Sequence, residues 1–323
     1  MATMNLDENK DTTNTNIIDK TDTIEDTTVE EKQVSVKKIK HIICSGGGVT
    51  GLSFYGALRN LNTKGIWNIE DIESIYGTSV GSLISVVICL NYEWDTLDDY
   101  FIKRPWGNVF KMDMYAIIEI FQKKGVFDYN VFVEIFSPLF KAKDISVDVT
   151  MKEFFEINNI DLHIFAVELN KFEVIDISYK THPDWKVIDA VYASCAIPLI
   201  FAPFFKDESC YCDGGVLINY PVEFCIKNGA KLDEILGIKG DRENDKKILP
   251  EHSLFDYILH LANKTHKRLL YNPKKIIKNE IIIPIRETTV QLIRDIAISM
   301  EERINLIEEG VKIIENFTLE FDV

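Results

Sequence analysis

Ser79 lies at the centre of Gly77-Thr78-Ser79-Val80-Gly81, after one apolar run (Ile72 to Tyr76) and before another (Ser82 to Leu90). A Gly-x-Ser-x-Gly pentapeptide between a strand-like and a helix-like run has the pattern of a nucleophile elbow. There a sharp strand-to-helix turn pushes a serine hydroxyll into the open for attack on a carbonyl. Positions 77 and 81 are glycine because a side chain in so tight a turn would meet neighbouring backbone. A second glycine cluster, Ser45-Gly46-Gly47-Gly48-Val49-Thr50-Gly51, follows the apolar run His41 to Cys44. It precedes a stretch, Leu52 to Leu61, whose Leu52, Tyr55, Leu58 and Arg59 recur at near-helical spacing. Backbone N–H groups at such a junction, with the helix dipole behind them, suit the oxyanion of an acyl-transfer intermediate. Gly47 and Ser79 are 32 residues apart, room for one strand–helix–strand unit, so both turns are expected at the same end of a parallel sheet. A third cluster, Asp213-Gly214-Gly215, offers a carboxylate whose neighbouring glycines permit close approach to another loop.

Each cluster has an alternative reading. The pentapeptide by itself also fits a Gly-Thr-Ser turn at a helix start, and Asp-Gly is a common turn dipeptide. Gly46-x-Gly48-x-x-Gly51 matches a dinucleotide-binding fingerprint. That fingerprint expects an acid about twenty residues on, at the end of the second strand. Here Glu70, Asp71 and Glu73 come before or at the start of that strand, and its end carries Gly77-Thr78-Ser79. A serine–acid–histidine hydrolase would draw on His252, His260 or His266, which fall in a stretch that reads as a surface helix. A degenerate lipid-binding module is the non-enzymatic alternative.

In this order, Gly-Gly-Gly-x-x-Gly, Gly-x-Ser-x-Gly and Asp-Gly-Gly resemble the patatin-like phospholipase family. The small-residue, proline-containing segment Ala193 to Pro203 and the link from Asp213 to Pro221 are also similar, so the resemblance spans about Lys40 to Gly229. It implies a three-layer α/β/α sandwich with a mostly parallel central sheet. It further implies a serine–aspartate dyad without histidine, acyl-ester hydrolysis of a phospholipid or other glycerolipid, and neither metal nor cofactor. By position, Ser79 matches the nucleophile and Asp213 the dyad base. Gly46, Gly47 and Gly48 match the oxyanion loop, with Val80 as a further donor; Gly51, Gly77, Gly81, Gly214 and Gly215 are motif glycines. A dyad aspartate is expected to be buried, with a raised pKa. One departure stands out: Thr50 occupies the position where the family usually carries Arg or Lys. Arg59, two turns along the helix, is expected to be exposed and solvated rather than a substitute.

The 323 residues suffice for a sizeable core, and the formal net charge is −15. Such acidity argues against broad attraction to nucleic acid or anionic bilayers, so any peripheral membrane contact must be local. Residues 1–38 read as a disordered acidic tail: through Glu31 they carry nine acids against Lys10 and Lys20. Residues 39–323 read as the hydrolase domain with a helical C-terminal part. No apolar stretch is long enough to span a bilayer and no secretory signal opens the chain, so a cytoplasmic location is expected. The six cysteines, Cys44, Cys89, Cys210 and Cys212 among them, are expected as reduced structural thiols. Oligomeric state is left open. Met112 to Phe140 reads as helical with a break at Gly125. His163 to Glu168 and Val174 to Ile177 read as paired strands. Ser253 to Tyr271 and Thr289 to Phe317 read as amphipathic helices, the second long and unbroken, with Ile281 to Ile283 a short strand. Phe204 and Phe205, in a proline-punctuated loop, are expected to serve as an interfacial anchor.

Overall fold

The computed structural model describes residues 38–111, 122–241, 247–252, 254, 257–258, 260–261, 264–265, 277–315 and 317–320. The acidic tail, save its last residue, and His266 lie outside the described residues, as do the first part of the Met112–Phe140 helix and most of Ser253–Tyr271.

Short β-branched and aromatic runs build the sheet. Its strands are β1 (His41–Cys44), β2 (Ser74–Thr78), β4 (Asp161–Glu168), β5 (Glu173–Ile177), β7 (Phe204–Lys206), β8 (Ser209–Asp213), β9 (Ile235–Asp241) and β10 (Asn279–Pro284). β3 (Gly125–Phe127) and β6 (Leu199–Phe201) form a separate parallel pair. The main order is β10-β9-β1-β2-β4-β8-β7, with β5 also on β4. The four pairings from β10 to β4 are parallel, while β5, β8 and β7 join antiparallel.

Alternation of side chains gives the sheet two apolar faces. Ile42, Ile75, Ile164 and Ala166 face one buried cluster; Ile43, Tyr76 and Phe165 face the other. The first face is covered by α1 (Gly51–Thr63), α2 (Val80–Cys89) and α6 (Val187–Cys195), with α3 (Trp94–Lys103), α4 (Tyr129–Lys141) and α5 (Met151–Asn158) farther out. The second is covered by the short α7 (Val222–Lys227). The result is a mixed α/β fold with a mostly parallel central sheet between helical layers.

The C-terminal helix departs from expectation. It is two helices, α8 (Val290–Ile298) and α9 (Met300–Ile313), interrupted at Ser299. Ser299 Oγ accepts from the Glu302 amide at 3.2 Å and so caps the second helix. The buried Arg303 then returns its guanidinium to the carbonyls of Ile296 and Ala297, both at 2.8 Å. A capping serine and an arginine that ends the preceding helix favour a corner over continuation.

Gly125 does break the Met112–Phe140 stretch, but as the start of β3 rather than as a helix kink. Arg59 is not freely solvated: its guanidinium pairs with Asp98, which also accepts from Tyr55 at 2.7 Å. Among the described residues, no helix is long and apolar enough to cross a membrane.

Candidate active site

The register of β4 brings Ser79 and Asp213 together. Ile164 and Phe165 pair with Gly77 and Thr78 of β2, while Ala166 pairs with Asp213 of β8. Since β5 covers residues 164 to 168 on one side of β4, β2 and β8 must share the other. They run in opposite directions and meet end to end between Phe165 and Ala166. The residue after Thr78 therefore faces the last residue of β8.

Ser79 itself has φ 54° and ψ −131°, a backbone conformation rare outside glycine. Two hydroxyls hold it there. Ser194 Oγ, on α6, accepts the Ser79 amide at 2.9 Å and donates to the Phe165 carbonyl at 2.6 Å. Ser82 Oγ donates to the Ser79 carbonyl at 2.7 Å. The turn closes against the first glycine loop at Gly81, where an added Cβ would sit 2.3 Å from the Cys44 carbonyl oxygen and 2.5 Å from that of Ser45.

Ser79 Oγ donates to Asp213 Oδ2 at 2.6 Å, and the Gly215 amide donates to Asp213 Oδ1 at 2.6 Å. Both side chains are buried. Burial pushes the Asp213 carboxyl up to about 6, against the opposing pull of the bonds from Ser79 and Gly215. A carboxylate with that pKa is ionised at neutral pH, yet more basic than a surface aspartate.

The glycine loop lies beside this pair: an added Cβ at Gly46 would be 3.2 Å from Ser79 Cβ. The Gly46 amide is already committed to the Asn219 carbonyl at 2.9 Å, so it is not free to meet an oxyanion. Among the described residues, nothing accepts from the amides of Gly47, Gly48 or Val80. Gly48 adopts φ +54°, and an added Cβ would fall 1.7 Å from Thr288 Oγ1. Thr50 is buried, and its Oγ1 accepts from the Arg286 amide at 2.9 Å. In place of a cation, this chain thus ties the glycine loop to the segment after β10. The Arg286 guanidinium pairs with Glu302 and Glu309.

A cavity of about 190 Å³ opens at Ser79. Gly48, Val80, Leu83, Cys195 and Ile197 line it near the serine, and Phe101, Trp106, Phe110, Phe132, Ile135 and Phe201 supply aromatic and aliphatic walls. A pocket with so apolar a lining suits apolar ligands. Several aromatics of the Asn91–Phe140 region are therefore pocket walls.

Phe204 departs from expectation: its ring packs among Tyr129, Trp185, Tyr192 and Tyr211, and only Phe205 faces outward. Both Asp213 oxygens are engaged by Ser79 and Gly215, while the described contact of His252 is with the Leu249 amide. Among the described residues, no group of three or more His, Cys, Asp or Glu is placed to hold a metal. All six cysteines are buried and free, and Cys195 Sγ lies 3.8 Å from Ser82 Oγ. Ser194, Asn219 and Thr288, which support the site, were not singled out from sequence. Ser194 and Asn219 fall in stretches that flank the Asp-Gly-Gly motif, whereas Thr288 lies far along the chain, after β10, where no local pattern marks it.

The patatin-like phospholipase description matches residues 42–226, more than half of the chain. A probable lipid hydrolase of Invertebrate iridescent virus 6 (463L) is 29% identical over 211 residues, covering 62% of this chain and 70% of that protein. An uncharacterised protein of Acanthamoeba polyphaga mimivirus (R571) is 25% identical over 293 residues, covering 88% of this chain and 95% of its own. VipD from Legionella pneumophila is a distant structural likeness, with TM-score 0.44 and 15% identity over 84% of this chain and 67% of that one. The chain belongs to the patatin-like phospholipase family, a family of lipid hydrolases.

Proposed function

We propose that the protein is a serine acyl hydrolase of phospholipase A type, acting on membrane glycerolipids through Ser79 and Asp213. The observation that carries this is the 2.6 Å hydrogen bond from Ser79 Oγ to a buried Asp213 at the mouth of an apolar cavity. Asp213 takes the Ser79 proton as the oxygen attacks the ester carbonyl. The amides of Gly47 and Gly48, together with that of Val80 at the N-terminus of α2, hold the oxyanion. Collapse of the intermediate passes the proton to the leaving lysolipid alcohol and leaves an acyl-Ser79 ester. Water, deprotonated by Asp213, then attacks that ester; the bond to Ser79 Oγ breaks, the proton returns from Asp213 to Ser79, and the fatty acid is freed. The chemical step requires no metal or cofactor.

The test is a panel of phospholipids and phosphate-free glycerolipids labelled in one acyl chain, assayed with wild type and Ser79→Ala. Wild type is expected to release fatty acid, and the variant to lose about a thousandfold or more of the rate. An organophosphonate should also label wild type once, at Ser79. Equal fatty-acid release by the variant would overturn the assignment.

A further inference from the structure

The end of β4 carries more than the candidate dyad. Three residues beyond Ala166, the hairpin to β5 exposes Leu169 (45%) and Phe172 (56%). Beside it, the hairpin of β7 and β8 exposes Phe205 (62%). The two hairpins are joined, since the Leu169 amide donates to the Cys210 carbonyl at 2.7 Å and Cys210 pairs with Phe205. Asp213 is three residues further along β8 than Cys210, about 10 Å at strand rise. The fringe is also continuous with the cavity wall. Phe201 lines the cavity on β6, β6 pairs with β3, and Lys124, just before β3, places its Nζ 5.9 Å from the centre of the Phe205 ring.

Phe172 has no folding reason to be aromatic. It sits at φ 56°, where Asn or Gly is favoured, and more than half of it is in water. The tip is nonetheless well held: buried Glu168 accepts the amides of Asn170 at 3.2 Å and Lys171 at 2.7 Å. Charge around the fringe is mixed, with Lys124, Lys171 and Lys206 near Glu173, Asp207 and Glu208. With a whole-chain charge of −15, that pattern suits zwitterionic rather than anionic headgroups.

We propose that Leu169, Phe172 and Phe205 form the edge by which the protein docks on a zwitterionic bilayer, their side chains inserting at the acyl–headgroup boundary. This deepens the acyl-hydrolase reading, and its purpose rests on it: docking here would bring a lipid ester within reach of Ser79. Binding is measured apart from catalysis, so the two can fail separately.

The experiment is flotation of full-length Ser79→Ala protein with phosphatidylcholine vesicles. Binding is expected to hold between about 0.1 and about 0.5 M salt, because insertion rather than charge drives it. Phe205→Ser and Phe172→Asn should each weaken partitioning about tenfold or more. Phe172→Asn should also keep or raise the unfolding temperature, which excludes misfolding as the cause. Ile157→Ser, exposed near the end of α5 just before β4 begins and so at the opposite end of that strand from Leu169, should bind like the parent. In an otherwise wild-type protein, Phe172→Asn should keep its rate on a water-soluble short-chain ester and lose rate on vesicle lipid. Absence of binding to phosphatidylcholine vesicles, or binding unchanged in the Phe172→Asn/Phe205→Ser double variant, would overturn the proposal.

Discussion

At the residue scale, the raised pKa of Asp213 links activity and stability with opposite signs. As the proposed general base it must be ionised, so the rate should climb with pH through about 6 and level off above. For folding, burial of the carboxyl moves its pKa from 3.8 to about 6. A group raised in this way contributes fully below the unfolded value and loses that contribution as pH rises through the folded one. At pH 8 the buried charge should therefore cost roughly 3 kcal/mol. Asp213→Asn is expected to lose activity by about a thousandfold or more while gaining thermal stability at pH 8, and to show little gain at pH 4. Calorimetry at both values checks this. Ser194 is a positioning residue for the proposed nucleophile, its hydroxyl bonded to the Ser79 amide and the Phe165 carbonyl. Ser194→Ala should lower kcat about tenfold with KM little changed, whereas Ser194→Thr, which retains a hydroxyl, should recover part of the loss.

At the element scale, the site depends on how closely two strand-to-helix turns approach. Gly81 sits against the carbonyls of Cys44 and Ser45, so no side chain fits without separating α2 from the end of β1. Gly81→Ala is expected to destabilise the fold by about 2 kcal/mol or more, read as a lower denaturant midpoint, and to reduce activity further than stability alone explains. Strand register does the rest. A slip of β8 by one residue along β4 would turn Asp213 to the opposite face, away from Ser79. The corner at Ser299 matters because α8 lines the cavity through Ile293, Ile296 and Ala297, and Arg303 at the start of α9 closes the same wall.

At the scale of the whole molecule, the face of the sheet away from the cavity carries a buried charge of its own. His163 on β4 stacks on Tyr76 with ring centres 4.4 Å apart. Its Nδ1 lies 2.8 Å from Asp176 Oδ1, and its Nε2 lies 3.2 Å from Asp161 Oδ1. Burial opposes the imidazolium, but the two carboxylates outweigh it and lift the pKa from 6.5 to about 9. The stabilisation is complete below the unfolded value and is lost as pH rises through about 9. The unfolding temperature should therefore fall between about pH 7 and about pH 10, with a shallower fall in His163→Gln. Together with the ionisation of Asp213, this favours greatest stability on the acid side of neutrality, while the rate favours the alkaline side.

The three motifs were readable because each depends on local backbone demands that only glycine, or a small residue beside it, can meet. Their order and the apolar runs around them carried the mixed α/β fold and its mostly parallel sheet. The sequence could nominate Ser79 and Asp213, since strand ends and tight turns leave local marks. It could not show that Gly46 commits its amide to Asn219, that Ser194 clamps the elbow, or that Thr50 joins the segment after β10. Those contacts connect residues far apart in the chain, and no local periodicity records them. The same holds for Phe204 and Phe205. Adjacent and chemically alike, they are told apart only by the alternation of β7 once β8 fixes its register, which turns one ring into an aromatic cluster and leaves the other to water.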